Sequence, residues 1–249
     1  MRRSMVSAAL LFVSGLVLAG PPSASLDYNL PKSTTLGEPV IFTARLHNST
    51  GYRIVVDFGV NDQTEFVFRQ TKPDGSVVRV APSLTPASRM RTSHLMLRDT
   101  WYTATVVLDE WLDLSATGRH TIEIEFHGAV NIDGGNEAGL KRKASMWIDV
   151  KPRDPDKLAK RGAEWLKQIS TLSPGGEARA AASALVAMKD PIAIPYLELA
   201  TSRTRSQSFV DALRTMASSH PDARAALERL AKNPDADVRA LAQKALAGR

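Results

Sequence analysis

Cysteine is absent from all 249 residues of the chain. Disulfide bonds and thiolate metal sites are therefore excluded, and the hydrophobic core has to stabilise the fold. The sequence also lacks the short patterns of common catalytic and phosphate-binding sites, with no G-x-S-x-G, no H-E-x-x-H and no glycine-rich loop that carries a lysine. We therefore predict no catalytic residue, no cofactor and no metal ligand, and we expect a protein that is not an enzyme.

Long apolar runs are also missing, apart from one near the N-terminus. Ala8–Ala19 is apolar but short for a membrane span, and the residues before it are basic. Compact residues at Val17 and Ala19 suit a cleavage site. These features predict a signal peptide over residues 1–19, with cleavage after Ser25 or a retained N-terminal anchor as alternatives. We expect a periplasmic or secreted protein without stable membrane insertion after cleavage.

Apolar and polar residues alternate between residues 26 and 151, which is typical of half-buried strands. In Val40–Leu46 every second residue is apolar, and Asn48–Gly51 is expected to turn the chain into a partner strand at Arg53–Phe58. Lys72–Gly75 is a second strong turn signal. Further strands are predicted at Thr64–Gln70, Ser76–Val80, Ser93–Leu97, Trp101–Leu108, Arg119–Phe126 and Ala144–Val150. The pattern predicts an antiparallel β-sandwich over residues 26–151.

Residues 154–249 show helical spacing that is interrupted at prolines. One apolar face comprises Ala178, Ala181, Ala182, Leu185 and Met188. The Asp190-Pro191 pair ends that helix, and a second follows from about Ile192 to Ala200, so that Ala178–Ala200 is expected to form one helix–turn–helix unit. Similar apolar faces follow: one includes Leu213, 28 residues after Leu185, and the next includes Leu246, 33 residues after Leu213. An α-solenoid is predicted, with an ordinary small helical bundle as the alternative.

A charged, proline-rich linker at Lys151–Asp156 separates the two regions. Asp154 and Pro155 are well suited to begin a helix whose apolar stripe includes Gly162 and Trp165. This helix is expected to start the helical stack and to pack on the sandwich.

Two parts of the sequence resemble known families. The alanine-rich helix, the Asp-Pro turn and the segment DADVRALAQKAL are similar to HEAT-like repeats over residues 176–249, which implies about two and a half units with Asp237 and Val238-Arg239 at the start of an inner helix. The segments LGEPVIFTARLHNST, TEFVFRQTKPDGSVV and LDEWLDLSATGRHTIEIEF resemble bacterial immunoglobulin-like domains, including those called intracellular proteinase inhibitor-like. The tyrosine usual two places after the glycine in those domains is His120 here, which argues against a tyrosine-corner role.

Charge is concentrated in the helical region, where 16 basic and 11 acidic residues between Arg153 and Arg249 give a net charge of +5. A basic helical array suits nucleic acid or an acidic partner, or it is simply a solvated face. Because export argues against nucleic acid, we predict that the chain binds or scaffolds another protein through its helical repeats and sandwich loops. The candidate partner-binding residues are Arg179, Arg203, Arg205, Arg239 and Trp111.

Several other functions stay open on the sequence. Loops such as Asn131–Leu140 could make the sandwich an inhibitor or a carbohydrate-binding module, and Asn131–Glu137 faintly resembles a calcium loop. The tryptophans Trp101, Trp111 and Trp147 are expected to pack in the core, with a sugar platform as the alternative, for which Trp111 is the best candidate. An unrecognised hydrolase would use the paired carboxylates Glu123 and Glu125, which a solvated outer face also explains.

Overall fold

The computed structural model describes residues 24–59, 65–80, 93–132, 140–171 and 176–248. The predicted signal peptide at residues 1–19 lies outside them. A β-rich N-terminal part extends to Lys151, and six helices follow. Within the described ranges, no helix is both long and apolar enough to cross a lipid bilayer.

The described part of the β-rich region contains eleven strands. They are β1 (Ala24–Asn29), β2 (Ser33–Thr35), β3 (Ile41–Asn48), β4 (Ile54–Asp57), β5 (Phe66–Thr71), β6 (Val77–Val80), β7 (Ser93–Met96), β8 (Trp101–Val107), β9 (Gly118–Phe126), β10 (Val130–Ile132) and β11 (Lys143–Lys151). The predicted strands are therefore present within one or two residues of their expected ends. The three short strands β1, β2 and β10 were not predicted, because they are too brief or too polar to show a clear alternation.

The strands form three sheets, in the orders β1-β3-β8, β10-β4-β7 and β2-β11-β9-β5-β6. The predicted hairpin between Lys72 and Gly75 is present, since β5 pairs with β6 across it. The expected pairing of β3 with β4 is wrong, because β3 pairs with β1 and β8 whereas β4 pairs with β7 and β10. The sheets are also not wholly antiparallel, since β2 runs parallel to β11.

The side chain of Asn48 explains why the chain changes sheets after β3. Its amide nitrogen donates to the carbonyl oxygens of Tyr52 and Met96, and its amide oxygen accepts from the N–H and the hydroxyl of Thr50. This buried amide satisfies the backbone of the turn and ties it to the end of β7, so that the chain crosses to another sheet instead of folding back on β3.

Phenylalanines from opposite sheets meet in the β core. The ring of Phe42 on β3 lies edge-on to Phe66 and Phe68 of β5, with centroids 5.6 and 5.8 Å apart. The sheet β1-β3-β8 therefore faces the five-stranded sheet. Alternate residues of β3 are buried in this interface, which is why the alternation in the sequence was clear.

The helices are α1 (Pro155–Thr171), α2 (Gly176–Ala187), α3 (Ile194–Thr204), α4 (Gln207–Met216), α5 (Pro221–Leu230) and α6 (Ala236–Leu246). Their starts follow the sequence signals. The Asp154 carboxylate accepts from the N–H of Lys157, and the Asp235 carboxylate accepts from the N–H groups of Asp237 and Val238. Helix α5 begins at Pro221, with His220 at its N-cap position and Asp222 in its first turn.

Each helix packs on its successor or on the second helix after it, so that α1, α3 and α5 form one layer and α2, α4 and α6 form another. The predicted unit of α2 with α3 is shifted by one helix, since α2 packs mainly on α1 and touches α3 little. The predicted apolar faces are largely buried. Leu246 is an exception, with 38% of its surface exposed, because it lies on the last turn beyond which nothing packs in the described chain.

The two parts of the molecule share a hydrophobic core. Val107 of β8 and Ile41 of β3 belong to the apolar cluster of the helices, where α2 packs against β8. Glu38, buried beside this contact, accepts from Lys157 and Arg161 of α1, each at 2.8 Å. The expectation that the first helix packs on the β-rich part is confirmed.

Candidate functional site

Three of the four predicted partner-binding arginines contact their own chain. Arg205 forms a 2.7 Å ion pair with Asp235, and Arg239 donates to the carbonyl oxygens of Asn233 and Pro234. These two side chains hold the turn between α5 and α6. Both guanidinium groups therefore already stabilise the packing of the helices in the chain by itself.

Arg203 is also engaged, because its guanidinium donates to the hydroxyl of Ser170 at the end of α1. Arg179 is exposed on α2, and no partner for its guanidinium occurs among the described residues. An unpredicted contact of the same kind joins Arg229 of α5 to Glu198 of α3 through two hydrogen bonds of 2.8 and 2.7 Å. Its separation of 31 residues matches the repeat spacing, which was the signal available in the sequence.

A cleft of about 510 Å³ lies at the junction of the β-rich part and the helices, and Trp111 is part of its wall. Both parts of the molecule contribute to it. From the β-rich part come Gly37 and the segment 109–115, and from the helical part come Ala187 and Lys189. The cleft thus brings one of the predicted residues into a concave site between two structural units, a common place for binding.

The segment that carries Trp111 is fixed by hydrogen bonds to β3 and to itself. A short 3-10 helix at Leu108–Glu110 ends β8, and the N–H of Trp111 donates to the carbonyl oxygen of Leu108. The Asp109 carboxylate accepts from the N–H of Val40 at 2.6 Å. The bend after β8 thereby places Asp109, Glu110 and Trp111 in the wall of the cleft.

Two carboxyl groups in the cleft have raised pKa values. Burial raises the pKa of Asp109 to about 6, against the opposing effects of the Val40 hydrogen bond and the positive charge of Lys189. Burial also raises the pKa of Glu110. Because desolvation disfavours their charged forms, both groups are poised to gain from a polar or cationic group that enters the cleft.

Trp111 is a wall of the cleft rather than a free platform. Its ring centroid lies 6.4 Å from that of Phe68, and the residue is half-buried against the β core. The indole nitrogen is buried, without a hydrogen-bond partner in the described chain. The expectation of core packing therefore describes Trp111 better than that of a sugar platform.

The other two tryptophans lie on outer faces, so the expectation of core packing was wrong for them. Trp101 is 48% exposed, stacks on His47 with centroids 4.1 Å apart, and has the Arg45 guanidinium 4.6 Å from its ring centre. Trp147 carries Lys32 and Arg119 over its ring. Cation–π contacts cover these rings where water would otherwise meet them.

The carboxylates of Glu123 and Glu125 share the outer face of β9, as predicted, and each has a cationic partner. Glu123 lies 3.5 Å from Arg69, and Glu125 lies 2.9 Å from Lys143. The hydrogen bond from Lys143 lowers the pKa of Glu125, which suits a solvated ion pair better than a general acid.

No group of three or more metal-ligating side chains occurs among the described residues. The segment Asn131–Glu137, which faintly resembles a calcium loop, is only partly within them, since Asn131 belongs to β10 and residues 133–139 lie outside.

His120 has a role that the sequence did not suggest. It is fully buried, its Nε2 lies 2.8 Å from the carbonyl oxygen of Ala116, and its Nδ1 lies 2.8 Å from the amide nitrogen of Gln70. Since that amide nitrogen is a donor, Nδ1 accepts and Nε2–H donates to the backbone four residues upstream. His120 therefore ties the start of β9 to the loop that precedes it through a hydrogen bond to Ala116.

No protein-family model matches the chain, and no curated protein matches it. Among solved structures, it is similar to a CARDB domain from Pyrococcus furiosus at 9% identity, over 53% of this chain and 90% of that one, with a TM-score of 0.30. The PapD-like domain 7 of human CEP192 is similar at 13% identity, over 61% of this chain and 99% of that one, with a TM-score of 0.28.

A further likeness is to an alkylpurine DNA glycosylase, AlkC of Pseudomonas fluorescens, at 14% identity, over 52% of this chain and 31% of the glycosylase, with a TM-score of 0.25. At such low identities and TM-scores, these likenesses say nothing of what the chain binds or does.

Proposed function

We propose that the chain is a non-catalytic exported protein, periplasmic or secreted, that binds another protein where its two parts meet. In this proposal the β-rich part is an immunoglobulin-like sandwich and the helices are a short HEAT-like stack. The observation that carries the proposal is the junction cleft, because residues of both parts line it and Trp111 stands in its wall.

Ion pairs with buried carboxylates hold the junction together, which supports this function. Arg153 in the linker donates two hydrogen bonds, of 2.5 and 2.9 Å, to the carboxylate of Asp190, which also caps the short helical turn before α3. Glu38 connects β2 and β3 to α1 through Lys157 and Arg161. A cleft held between units that are tied in this way is already formed before binding, which lowers the entropy cost of holding a partner.

The partner surface that suits the cleft is a short polar segment with a basic side chain. A cation of the partner would bind between Asp109 and Glu110 and offset the desolvation of their carboxylates. Lys189 would donate to a neighbouring carbonyl or carboxylate of the partner. The arginines of the helical turns then act mainly inside the stack, and Arg179 is left as the predicted arginine that is available for contact.

Site-specific photo-crosslinking in the native host tests this proposal. A photo-reactive amino acid is placed at Lys189 in the cleft, at Arg179 on α2 and, as a control, at the exposed Asp27 of β1. We expect a discrete adduct with one protein at position 189, and none of the same mass at position 27. No adduct at 189, or equal labelling of all three positions, would contradict the proposal.

The alternative functions stay predictions. An inhibitor or sugar-binding role depends on the loop 131–140, of which residues 133–139 lie outside the described chain. A hydrolase would have to show turnover of generic ester, peptide or glycoside substrates that is lost in Glu123→Gln. The ion pair of Glu123 with Arg69 does not favour that role.

A further inference from the structure

The edge strand β6 of the five-stranded sheet has no strand beside it in the described chain. It pairs with β5 on one side only, and it is the last strand in the sheet order. All four of its residues are partly or largely exposed. Natural edge strands commonly carry charged residues or proline that hinder pairing with another chain, whereas β6 has no proline and a single charge, that of Arg79.

The hairpin bonds show which backbone groups of β6 point away from β5. The N–H of Lys72 donates to the carbonyl oxygen of Ser76, so the next bonded pair along the ladder is Gln70 with Val78. The N–H and C=O groups of Val77 and Arg79 therefore point away from β5. They offer the two donors and two acceptors that an added strand would use.

The two faces of β6 differ in chemistry. Val78 and Val80 lie on the same face as the buried Phe68, and Val80 packs against the β core, whereas Val78 is 39% exposed. Val77 and Arg79 lie on the opposite, outer face. An apolar residue of an added strand would cover Val78, and the residues before and after it would lie beside the outer face.

Two arginines stand directly opposite each other on that outer face. Arg79 of β6 is the register partner of Arg69 on β5, and Arg69 is in turn opposite Glu123 on β9. Glu123 is 3.5 Å from Arg69, and Arg79 has a longer-range electrostatic interaction with Glu125. Like charges directly opposite in a sheet are destabilising, and a second carboxylate beside Arg79 would relieve this.

A groove of about 770 Å³ continues from these arginines across the outer face. Its charged lining residues are Arg69, Arg79, Lys141, Lys143, Glu123 and Glu125. Four cations against two carboxylates leave the groove with a surplus of positive charge. An incoming acidic segment is therefore favoured over a neutral or basic one.

We propose that β6 binds an extended, acidic segment of another protein as an additional strand of the sheet. The segment alternates apolar residues, which cover Val78, with acidic residues, one of which lies beside Arg79. A second copy of this chain does not fit, because β6 has no acidic residue and pairing of two β6 strands would bring arginines together. This surface is separate from the junction cleft, so failure of one proposal would not contradict the other.

The test uses the full mature chain and a fluorescein-labelled, end-capped peptide of eight residues that alternates glutamate and valine. Binding is followed by fluorescence anisotropy at low and at physiological salt. Two comparison peptides carry lysine in place of glutamate, or proline in place of two valines. We expect saturable binding of the glutamate peptide that weakens with salt, and at least tenfold weaker binding of both comparison peptides.

Two variants of β6 separate the backbone contribution from the charge. Val77→Pro removes an outward N–H without touching the bonds to β5, and Arg79→Glu reverses the charge without changing the backbone. Each is expected to weaken binding at least tenfold. The control, Lys244→Glu, makes a comparable charge reversal at an exposed position of α6 and should leave binding unchanged.

The proposal is overturned if the lysine peptide binds as tightly as the glutamate peptide, or if the control variant weakens binding as much as Arg79→Glu does. It is also overturned if Val77→Pro binds like the unmodified chain, since the groove would then attract carboxylates without strand pairing. Arg79→Glu lies on an exposed position, so its effect can be measured even if the proline variant fails to fold.

Discussion

At the scale of single residues, a few buried polar side chains hold the loops that shape the molecule. The amide of Gln70 donates to the carbonyl oxygen of Asp113 and to His120, and its oxygen accepts from the N–H of Asp113. With the bond from His120 to Ala116, every polar atom of the Gln70 and His120 side chains has a partner. The network fastens segment 113–116 to the core face of β5 and β9, next to the cleft.

Replacing His120 by alanine should therefore cost more than the loss of one side chain's packing. The Ala116 carbonyl and one N–H of the Gln70 amide would be buried without partners, at about 1–3 kcal/mol each. We expect His120→Ala to lower the free energy of unfolding by about 3 kcal/mol in urea titrations followed by tryptophan fluorescence. Gln70→Ala should cost a similar amount, and the double variant should cost less than the sum. Strict additivity would show that the two residues do not share a network.

The acidity of Asp109 predicts a pH dependence of stability. Its pKa is about 6 in the folded chain, against an ordinary value of 3.8, so the folded state holds this proton more tightly than the unfolded state does. The contribution of Asp109 to stability is thus most favourable below pH 3.8 and is lost as the pH rises through about 6. Above that pH the residue costs about 3 kcal/mol, because each pKa unit between the folded and unfolded values is worth about 1.4 kcal/mol.

Asp109→Asn tests this dependence, because asparagine keeps an oxygen to accept from Val40 but has no charge. The variant should be more stable than the unmodified chain by about 1–2 kcal/mol at pH 8, and the difference should vanish near pH 4. Chemical denaturation at several pH values gives the measurement. The exposed Asp27→Asn serves as the control and should show no such trend. A variant that is less stable at pH 8 would contradict the assignment.

At the scale of elements, helix spacing in the sequence predicted the helices and their buried faces, but not which helices pair. The start of α1 was predicted from Asp154, because capping is a local interaction. The packing of α1 against α3 depends instead on contacts between distant residues, such as the bond from the Tyr196 hydroxyl to the carbonyl oxygen of Ala159. The predicted unit of α2 and α3 was shifted by one helix for that reason.

The close approach of α1 and α3 yields a prediction for Gly162. A Cβ atom at this position would lie 2.5 Å from the ring of Tyr196, which is held by its bond to Ala159. Gly162→Ala should lower the free energy of unfolding by about 1–3 kcal/mol through this clash, although alanine is the better helix former by about 1 kcal/mol. Gly176→Ala, where the added atom meets nothing within 4 Å, is the control. If Gly162→Ala stabilised the chain, the close packing of these helices would be refuted.

For the strands, too, the sequence predicted the elements but not which of them pair. Alternation predicted β3 and β4 but not their separation into different sheets, because the sequence shows which residues face the core and not which strand lies beside them. The buried Asn48, which ties the turn to the end of β7, decided that topology. The contacts of the candidate arginines within the stack were missed in a similar way, since a surface arginine in the sequence does not reveal whether it also contacts a turn 30 residues away.

At the scale of the whole molecule, buried carboxylates fasten the helices to the β-rich part. Burial raises the pKa of Glu38, but hydrogen bonds from Lys157 and Arg161 outweigh that effect and leave its pKa below the ordinary value. The side chain is only 5% exposed, and it also accepts from the N–H of Thr35. Loss of the charge would leave two cations at the junction without their main partner.

Glu38→Gln should therefore weaken the whole fold rather than one part of it. We expect the free energy of unfolding to fall by about 2 kcal/mol, because a buried acceptor of charged hydrogen bonds is removed. Glu164→Gln removes the other, exposed partner of Arg161 and should cost less than about 0.5 kcal/mol. Thermal unfolding should remain a single transition in the unmodified chain, observed alike by circular dichroism and fluorescence. Two separate transitions there would show that the junction does not couple the parts.

The sequence by itself determined the two-part organisation, most strand and helix positions, the absence of cysteine chemistry and the faces that are buried. These follow from residue periodicity, capping and turn residues, which act over a few positions along the chain. Only the tertiary structure decided the sheet topology, the helix partners, the use of Arg203, Arg205 and Arg239 within the stack, and the junction cleft around Trp111. Each of these depends on which distant residues fit together, and that is set by packing and by the need to satisfy buried polar groups across the whole molecule.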